Sequence, residues 1–315
     1  MFENLPRQVK VVEVGPRDGL QNEVANVSTA DKIRLIEALG ETGLEYIEVT
    51  SFVSPKWIPQ LADGLQVCQS LNLSPKIHRS ALVPNLKGYA AAQEAGLGAI
   101  AVFMSATETH SKKNINKDLA EALKTIAEIV TVAKQEKKFV RAYLSVVFLC
   151  PYEGRVDPTK VVDICLALLA MGVDEISLGD TIGAATPNLV LELLKRLKLE
   201  SDLDRFALHF HDTFGMALAN VVAGLEMGIK TFDASIGGMG GCPYAPGAQG
   251  NLATEDLVYL LHSLGVKTGI DLRKLVACGH LAEQILKRQL PGKYLRASGL
   301  QSGKIIYSEP EVWRE

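Results

Sequence analysis

At 315 residues, 47% hydrophobic and 22% charged, the chain can bury a large core and has the composition of a globular protein, not of a disordered or fibrous one. Its net charge of -3, with the basic residues scattered, excludes a general electrostatic attraction to nucleic acid. No apolar run approaches the ~20 residues that span a bilayer, and residues 1–7 lack the basic and apolar regions of a signal peptide, so a cytoplasmic protein without membrane contact is expected.

Taken in chain order, strand-like runs fall at 9–14, 46–50, 77–83, 99–104, 140–148, 175–178, 206–211 and 231–236. Helical patterns lie between them near 29–42, 59–71, 86–95, 117–136, 158–171, 187–197 and 216–227, and an eighth begins after Thr254. Gly43, Gly96, Gly172 and Gly228 stand where helix C-termini favour glycine. Eight βα units without a break in composition predict the α/β class and one (β/α)8 TIM barrel over residues 1–315. A further helix near 271–289 exceeds the eight, within a C-terminal helical extension from about 265. The five cysteines, Cys68, Cys150, Cys165, Cys242 and Cys278, are widely spaced and form no Cys-x-x-Cys pair, which reads as reduced thiols.

Barrel enzymes keep their chemistry at the C-terminal ends of the strands, which directs attention to the polar residues there. After the first strand, Arg17 and Asp18 place a cation beside a carboxylate, as a solvated turn would and as an active site would. Glu48 and Thr50 share one face of the second strand, and that face has two possible directions. Pointing into a dry core a glutamate is costly, and pointing outward it needs no function. Lys112 to Asn116, after the fourth strand, offer cations and amides to phosphates, or form a solvated basic turn. Arg141, near the start of the fifth strand, reads by position as a surface charge.

The seventh strand ends in Leu208-His209-Phe210-His211-Asp212. Residues two apart project to the same side, so His209 and His211 can present two imidazole nitrogens to one ion. The first strand neighbours the eighth in a closed barrel, and the eighth neighbours the seventh, which brings Asp18 close. Asn251 can return on a glycine-dense loop, Gly237 to Asn251, to add an amide oxygen. Two nitrogens and two oxygens without a thiolate favour an octahedral divalent cation, Mg2+ or Mn2+, over a structural zinc. Cys242 sits in the middle of that loop, as a thiol placed for chemistry or as a small apolar filler.

The segments Arg17-Asp18-Gly19-Leu20-Gln21-Asn22-Glu23, Ile47-Glu48-Val49-Thr50-Ser51-Phe52-Val53-Ser54-Pro55-Lys56, Cys150-Pro151-Tyr152-Glu153-Gly154, Ser177-Leu178-Gly179-Asp180-Thr181-Ile182-Gly183, His209-Phe210-His211-Asp212-Thr213 and the whole of 237–256 closely resemble the 3-hydroxy-3-methylglutaryl-CoA lyase family. The Arg-Asp pair and His-x-His are shared with a wider superfamily of metal-dependent aldolases and Claisen-type synthases, while the cysteine-centred glycine loop resembles the lyase branch. The resemblance runs from about Val11 to Leu264.

It implies cleavage of 3-hydroxy-3-methylglutaryl-CoA to acetyl-CoA and acetoacetate, a reaction of leucine degradation and ketone-body type, assisted by a divalent metal. It places Arg17 at the thioester oxygen, Cys242 as the acid that protonates the acetyl-CoA carbanion, and Glu48 in the active site beside Arg17. It leaves the general base open among Glu48, Asp18 and a metal-bound histidine. Asn114 and Arg141 match residues of the family's substrate site, and the acyl-CoA substrate and a homodimer follow from the same likeness. A lyase for a longer 3-hydroxy-3-alkylglutaryl-CoA would share every one of these motifs. A synthase condensing acetyl-CoA with a 2-oxo acid would share the metal site, and a silent scaffold would be expected to have lost some of these residues.

Overall fold

The structure is a computed structural model, and it describes residues 5–21, 23–241, 250–298, 300–301 and 304–305. Eight strands form the closed barrel: β1 (Lys10–Glu13), β2 (Tyr46–Ser51), β3 (His78–Leu82), β4 (Ala99–Ser105), β5 (Phe139–Ser145), β6 (Glu175–Asp180), β7 (Phe206–Phe210) and β8 (Thr231–Ala234). Each pairs in parallel with its sequence neighbours, and β8 closes on β1 with Lys10 opposite Thr231 and Val12 opposite Asp233. The expected (β/α)8 barrel is therefore the fold.

The helices follow from capping and amphipathic pattern: α1 (Thr29–Gly40), α2 (Gly64–Ser70), α3 (Leu86–Glu94), α4 (Glu108–Ile115), α5 (Leu119–Gln135), α6 (Pro158–Ala170), α7 (Pro187–Glu200), α8 (Ala217–Met227), α9 (Thr254–Ser263), α10 (Leu272–Leu286) and α11 (Lys293–Ala297). Ser28 caps α1, and Asp118 with Glu121 forms a reciprocal capping box at α5, so orphan amides at both starts are satisfied. α10 packs on α1 and on the turn Ile236–Gly238, and α11 packs on α9.

The two faces of the strands divide the labour. Ile47, Val49, Ile100, Val102, Val140, Ile176, Leu178, Leu208, Phe210 and Phe232 face the helices and join their apolar stripes in one continuous core. Inside the barrel a small apolar cluster of Val12, Val14, Tyr46 and Ala99, with Phe139 against it, adjoins buried polar residues that include Glu48, Arg141, Ser177 and Asp233.

The sequence pattern misplaces some boundaries. The expected helix at 59–71 is a 3-10 turn (Pro59–Leu61) followed by α2. The expected strand 140–148 stops at Ser145, because Val146 turns with a φ of 56° and donates its N–H to Thr181 Oγ1 at 2.9 Å. The stretch Lys112 to Asn116, read either as a source of cations and amides for phosphates or as a basic turn, lies in α4, with Asn116 as its left-handed C-terminal cap; its cations face outward, so charge hid a helical period.

Two helix-ending glycines make a test of backbone strain. Gly43 (φ 97°) and Gly96 (φ 69°) both lie in the region that L side chains avoid, but a Cβ on Gly43 would overlap the carbonyl oxygen of Gly269, whereas Gly96 has open space. Gly96→Ala should cost about 1 kcal/mol, and Gly43→Ala clearly more, at least ~2 kcal/mol, in urea unfolding curves.

Candidate active site

The chain leaves β1 in a tight five-residue turn, Gly15–Gly19, in which the amides of Asp18 and Gly19 both return to Val14 O. That turn aims Arg17 and Asp18 across the barrel mouth. From β7, two residues apart as expected, His209 and His211 face the same opening with ring centroids 5.3 Å apart. Asp18, His209 and His211 bring donor atoms within 4.8 Å of one another, the arrangement of a metal site.

Asn251 completes the set from the far end of the glycine loop. It bridges to His211 as an isolated antiparallel pair, and its Nδ2 donates to Asp18 Oδ2 at 2.8 Å and to Met239 O at 3.1 Å. Its Oδ1 is buried without a hydrogen-bond partner, and so is Nδ1 of His211. Orphaned acceptors around a carboxylate are what a cation would satisfy, so these residues fit a divalent metal. Gly240 is part of that fit: a Cβ there would stand 2.8 Å from the Asn251 amide nitrogen.

The charge states suit the same role. Burial works to raise the Asp18 carboxyl, but the Arg17 guanidinium and the two imidazoles outweigh it and hold Asp18 well below the usual carboxylate range. Burial lowers His211 to about 4, so its imidazole is neutral at physiological pH.

Glu48 faces inward. It is fully buried and takes the Arg17 Nε at 2.5 Å, while Arg17 Nη1 holds Asp18 Oδ1 at 2.5 Å. A fixed guanidinium between two carboxylates keeps its plane and position.

Arg141 corrects the reading of a surface charge. It is 1% exposed, points into the barrel, bonds Asp233 Oδ1 through Nη2 at 2.6 Å, and pairs with Glu175 at 2.9 Å. The period of two that puts Phe139, Arg141 and Tyr143 on one face decides this, not proximity to the strand start. Asp233 also accepts from Ser177 Oγ at 2.7 Å and faces His209 Nδ1 at 3.3 Å. Burial would raise Asp233, yet Arg141 prevails and holds it at about 2.

A cavity of about 150 Å³ opens above this layer. Arg17, Asp18, His209, His211 and Asn114 line it; Glu48 and Arg141 lie behind its wall. The cavity thus gathers Asn114 from α4 but not Arg141. Cys242 lies outside the described residues, although its neighbour Gly241 lines the same cavity. Sequence reasoning missed Gln21, His110, Tyr143, Ser145, Ser177 and Thr181 on these walls. Counting in twos from Arg141, or from Glu175, would have found the strand residues.

Beneath the loop, two carboxylates hold its root. Glu13 accepts the amides of Gly15 (2.7 Å) and Ile236 (2.9 Å) and the Thr254 hydroxyl (2.7 Å), and Glu255 accepts the Gly237 amide at 2.7 Å. Burial pushes Glu13 up to about 7 and Glu255 up to about 8.

Two consequences can be measured. Glu255 ionises near 4.5 when unfolded and about 8 when folded, so the stability it contributes is full below 4.5 and is lost as pH rises through about 8. The unfolding midpoint should therefore decline from pH 5 to pH 8, and Glu255→Gln should flatten that decline. Asp233→Asn leaves Arg141 short of a charge partner and should cost about 3–5 kcal/mol in chemical denaturation, whereas Lys134→Ala, from a half-exposed surface pair, should cost under ~1 kcal/mol.

Comparison with known proteins agrees with this geometry. The family model described as HMGL-like matches residues 8–281. The mitochondrial hydroxymethylglutaryl-CoA lyase of Homo sapiens is 48% identical over 294 residues, covering 93% of this chain and 90% of the relative. The crystal structure of the Bacillus subtilis HMG-CoA lyase superposes with a TM-score of 0.92 at 48% identity, over 93% of this chain and 98% of that one. An Acinetobacter baumannii HMG-CoA lyase, solved in complex with coenzyme A and 3-methylmalate, gives 0.89 at 36% identity, over 96% and 98%. With its closed barrel, its Asp-His-His cluster and this likeness along nearly its whole length, the chain belongs to the HMGL-like family, among the hydroxymethylglutaryl-CoA lyases.

Proposed function

We propose that the groups at the barrel mouth together cleave 3-hydroxy-3-methylglutaryl-CoA into acetyl-CoA and acetoacetate. The observation that carries this reading is the convergence of Asp18, His209 and His211 beside an Arg17 fixed by Glu48, in a chain that is a carbon–carbon lyase by family. Breaking the bond requires loss of the tertiary hydroxyl proton and a place for negative charge on the thioester enolate. Each need has a candidate.

Asp18, His209, His211 and Asn251 would hold a divalent cation of the Mg2+ or Mn2+ kind, which when bound supplies Lewis-acid polarisation of the substrate hydroxyl. Arg17 lines the cavity and meets the developing enolate charge, a role worth roughly 3 kcal/mol where such donors have been removed. Glu48 is closed off from the cavity, so it orients Arg17; Asp18 is held ionised by Arg17, and the hydroxyl proton passes to His209, which lines the cavity. Cys242, carried by the loop whose ends reach Gly241 and Asn251, returns a proton to the acetyl-CoA carbanion. Asn114 binds substrate at the cavity wall. Arg141 serves through Asp233 and His209 and does not touch substrate. A relative solved with coenzyme A and 3-methylmalate supports an acyl-CoA substrate, and we extend the reading to a homodimer. Among the described residues no helix is long and apolar enough to cross a membrane.

An assay of acetyl-CoA release tests the whole reading. Chelation should abolish cleavage, and Mg2+ or Mn2+ should restore it; undiminished cleavage after exhaustive chelation would sink the metal site. Arg17→Lys should lower kcat at least ~100-fold, because a point ammonium cannot replace the two-sided fork. Cys242→Ala should stop acetyl-CoA release, and a longer 3-alkyl homologue run beside the methyl substrate shows which acyl chain the cavity prefers.

A further inference from the structure

One side chain on the cavity wall has no part in the reaction just described. Tyr143 stands on β5 between Arg141 and Ser145, with its ring turned into the barrel and 8% of its surface exposed. Two guanidinium groups flank that ring: the Cζ of Arg17 lies 5.0 Å from its centroid and that of Arg141 5.2 Å. His209 meets it edge-on at 6.2 Å. The hydroxyl donates to Glu48 Oε2 at 3.1 Å and accepts from Arg141 Nη1 at 3.3 Å.

These contacts make Tyr143 the join between two buried ion clusters. One runs from Glu48 through Arg17 to Asp18, and the other from Arg141 through Asp233 to His209. Arg17 spends Nε on Glu48 and Nη1 on Asp18, both in the plane of its fork. Neither bond resists a tilt of the whole guanidinium and carboxylate unit. The ring resists that tilt as a cation–π platform, and the hydroxyl holds Glu48 Oε2, the same oxygen that Arg17 Nε engages. Burial and the neighbouring Glu48 carboxylate keep the phenol neutral, so it acts as a hydrogen-bond donor and not as an acid or base of the reaction.

We propose that Tyr143 is a positioning residue of the cleavage reaction, fixing the plane of Arg17 where the enolate charge develops. This rests on the reading of Arg17 as the group that meets that charge. A merely structural tyrosine would fill space and could give up its hydroxyl without kinetic effect, which is where the two differ.

The test uses Tyr143→Phe in the full chain loaded with Mg2+, alone and combined with Arg17→Lys. Tyr143→Phe should lower kcat about ten- to a hundredfold, the rate equivalent of one hydrogen bond to a charged group, with KM changed less than about twofold. Its thermal midpoint and its Mn2+ affinity by calorimetry should match the wild type. In the Arg17→Lys background the same change should cost less than about threefold, because the plane it fixes is gone. Wild-type kcat in Tyr143→Phe, a loss accompanied by a lowered thermal midpoint, or the full loss repeated in the Arg17→Lys background would each overturn the assignment. Arg17→Lys with intact kcat would overturn the reading of Arg17 itself, so the two failures are separable.

Discussion

A guanidinium buried to 1% exposure inside a barrel must have carboxylates, and Arg141 organises what lies above it for that reason. Asp233 and Glu175 answer its charge from β8 and β6, and Lys10 reaches up from the barrel floor to Glu175 at 2.6 Å. The column of alternating charge that results runs from the floor to His209 Nδ1. A histidine that bonds a carboxylate through one nitrogen has its ring orientation fixed and its other nitrogen aimed. The orientation of His209 toward Asp18 is therefore set by pairing that begins two layers below the reaction.

Such a column also explains why the barrel interior is polar while its outer surface carries the apolar core. The main hydrophobic cluster wraps the outside of the strands under the helices, and it tolerates fixed charge at the centre because Arg17 is paired with Glu48 and Asp18, and Arg141 with Asp233 and Glu175. The interior then provides a low-dielectric wall in which the Arg17 guanidinium and the Asp18 carboxylate act at more than their strength in water. Stability comes from the outer face and chemistry from the inner one, on the same strands.

Much of this was legible in the sequence. The barrel could be read because eight short β-branched runs alternate with helical periods, and His209 and His211 could be read because a strand's period is two. Asp18 followed from closure of the barrel, which makes the first strand a neighbour of the eighth. The inward residues of β5, β6 and β8 were hidden because a polar residue on a strand carries no mark of which face is buried. Arg141 looked like a surface charge for want of Asp233, ninety-two residues away in the chain and 2.6 Å away in the fold. α4 was obscured because Lys112 and Lys113 dominate a segment whose inner side holds His110 and Asn114.

The glycine loop follows the same logic from another direction. Both of its ends are fixed by groups that belong to the site or to its support: Asn251 by Asp18 and by pairing with His211, and the Ile236–Gly238 turn by Glu13 and Glu255. Glu13 also holds Gly15, the first residue of the turn that presents Arg17 and Asp18. One buried carboxylate thus joins the root of the loop to the root of the Arg-Asp turn. The two segments cannot shift independently without stripping Glu13 of an amide in a place where water does not replace it. Residues brought to the mouth by distant parts of the chain are in this way held in one frame, and the groups proposed to hold a cation, from the turn after β1, the end of β7 and the far end of the loop, keep a common geometry.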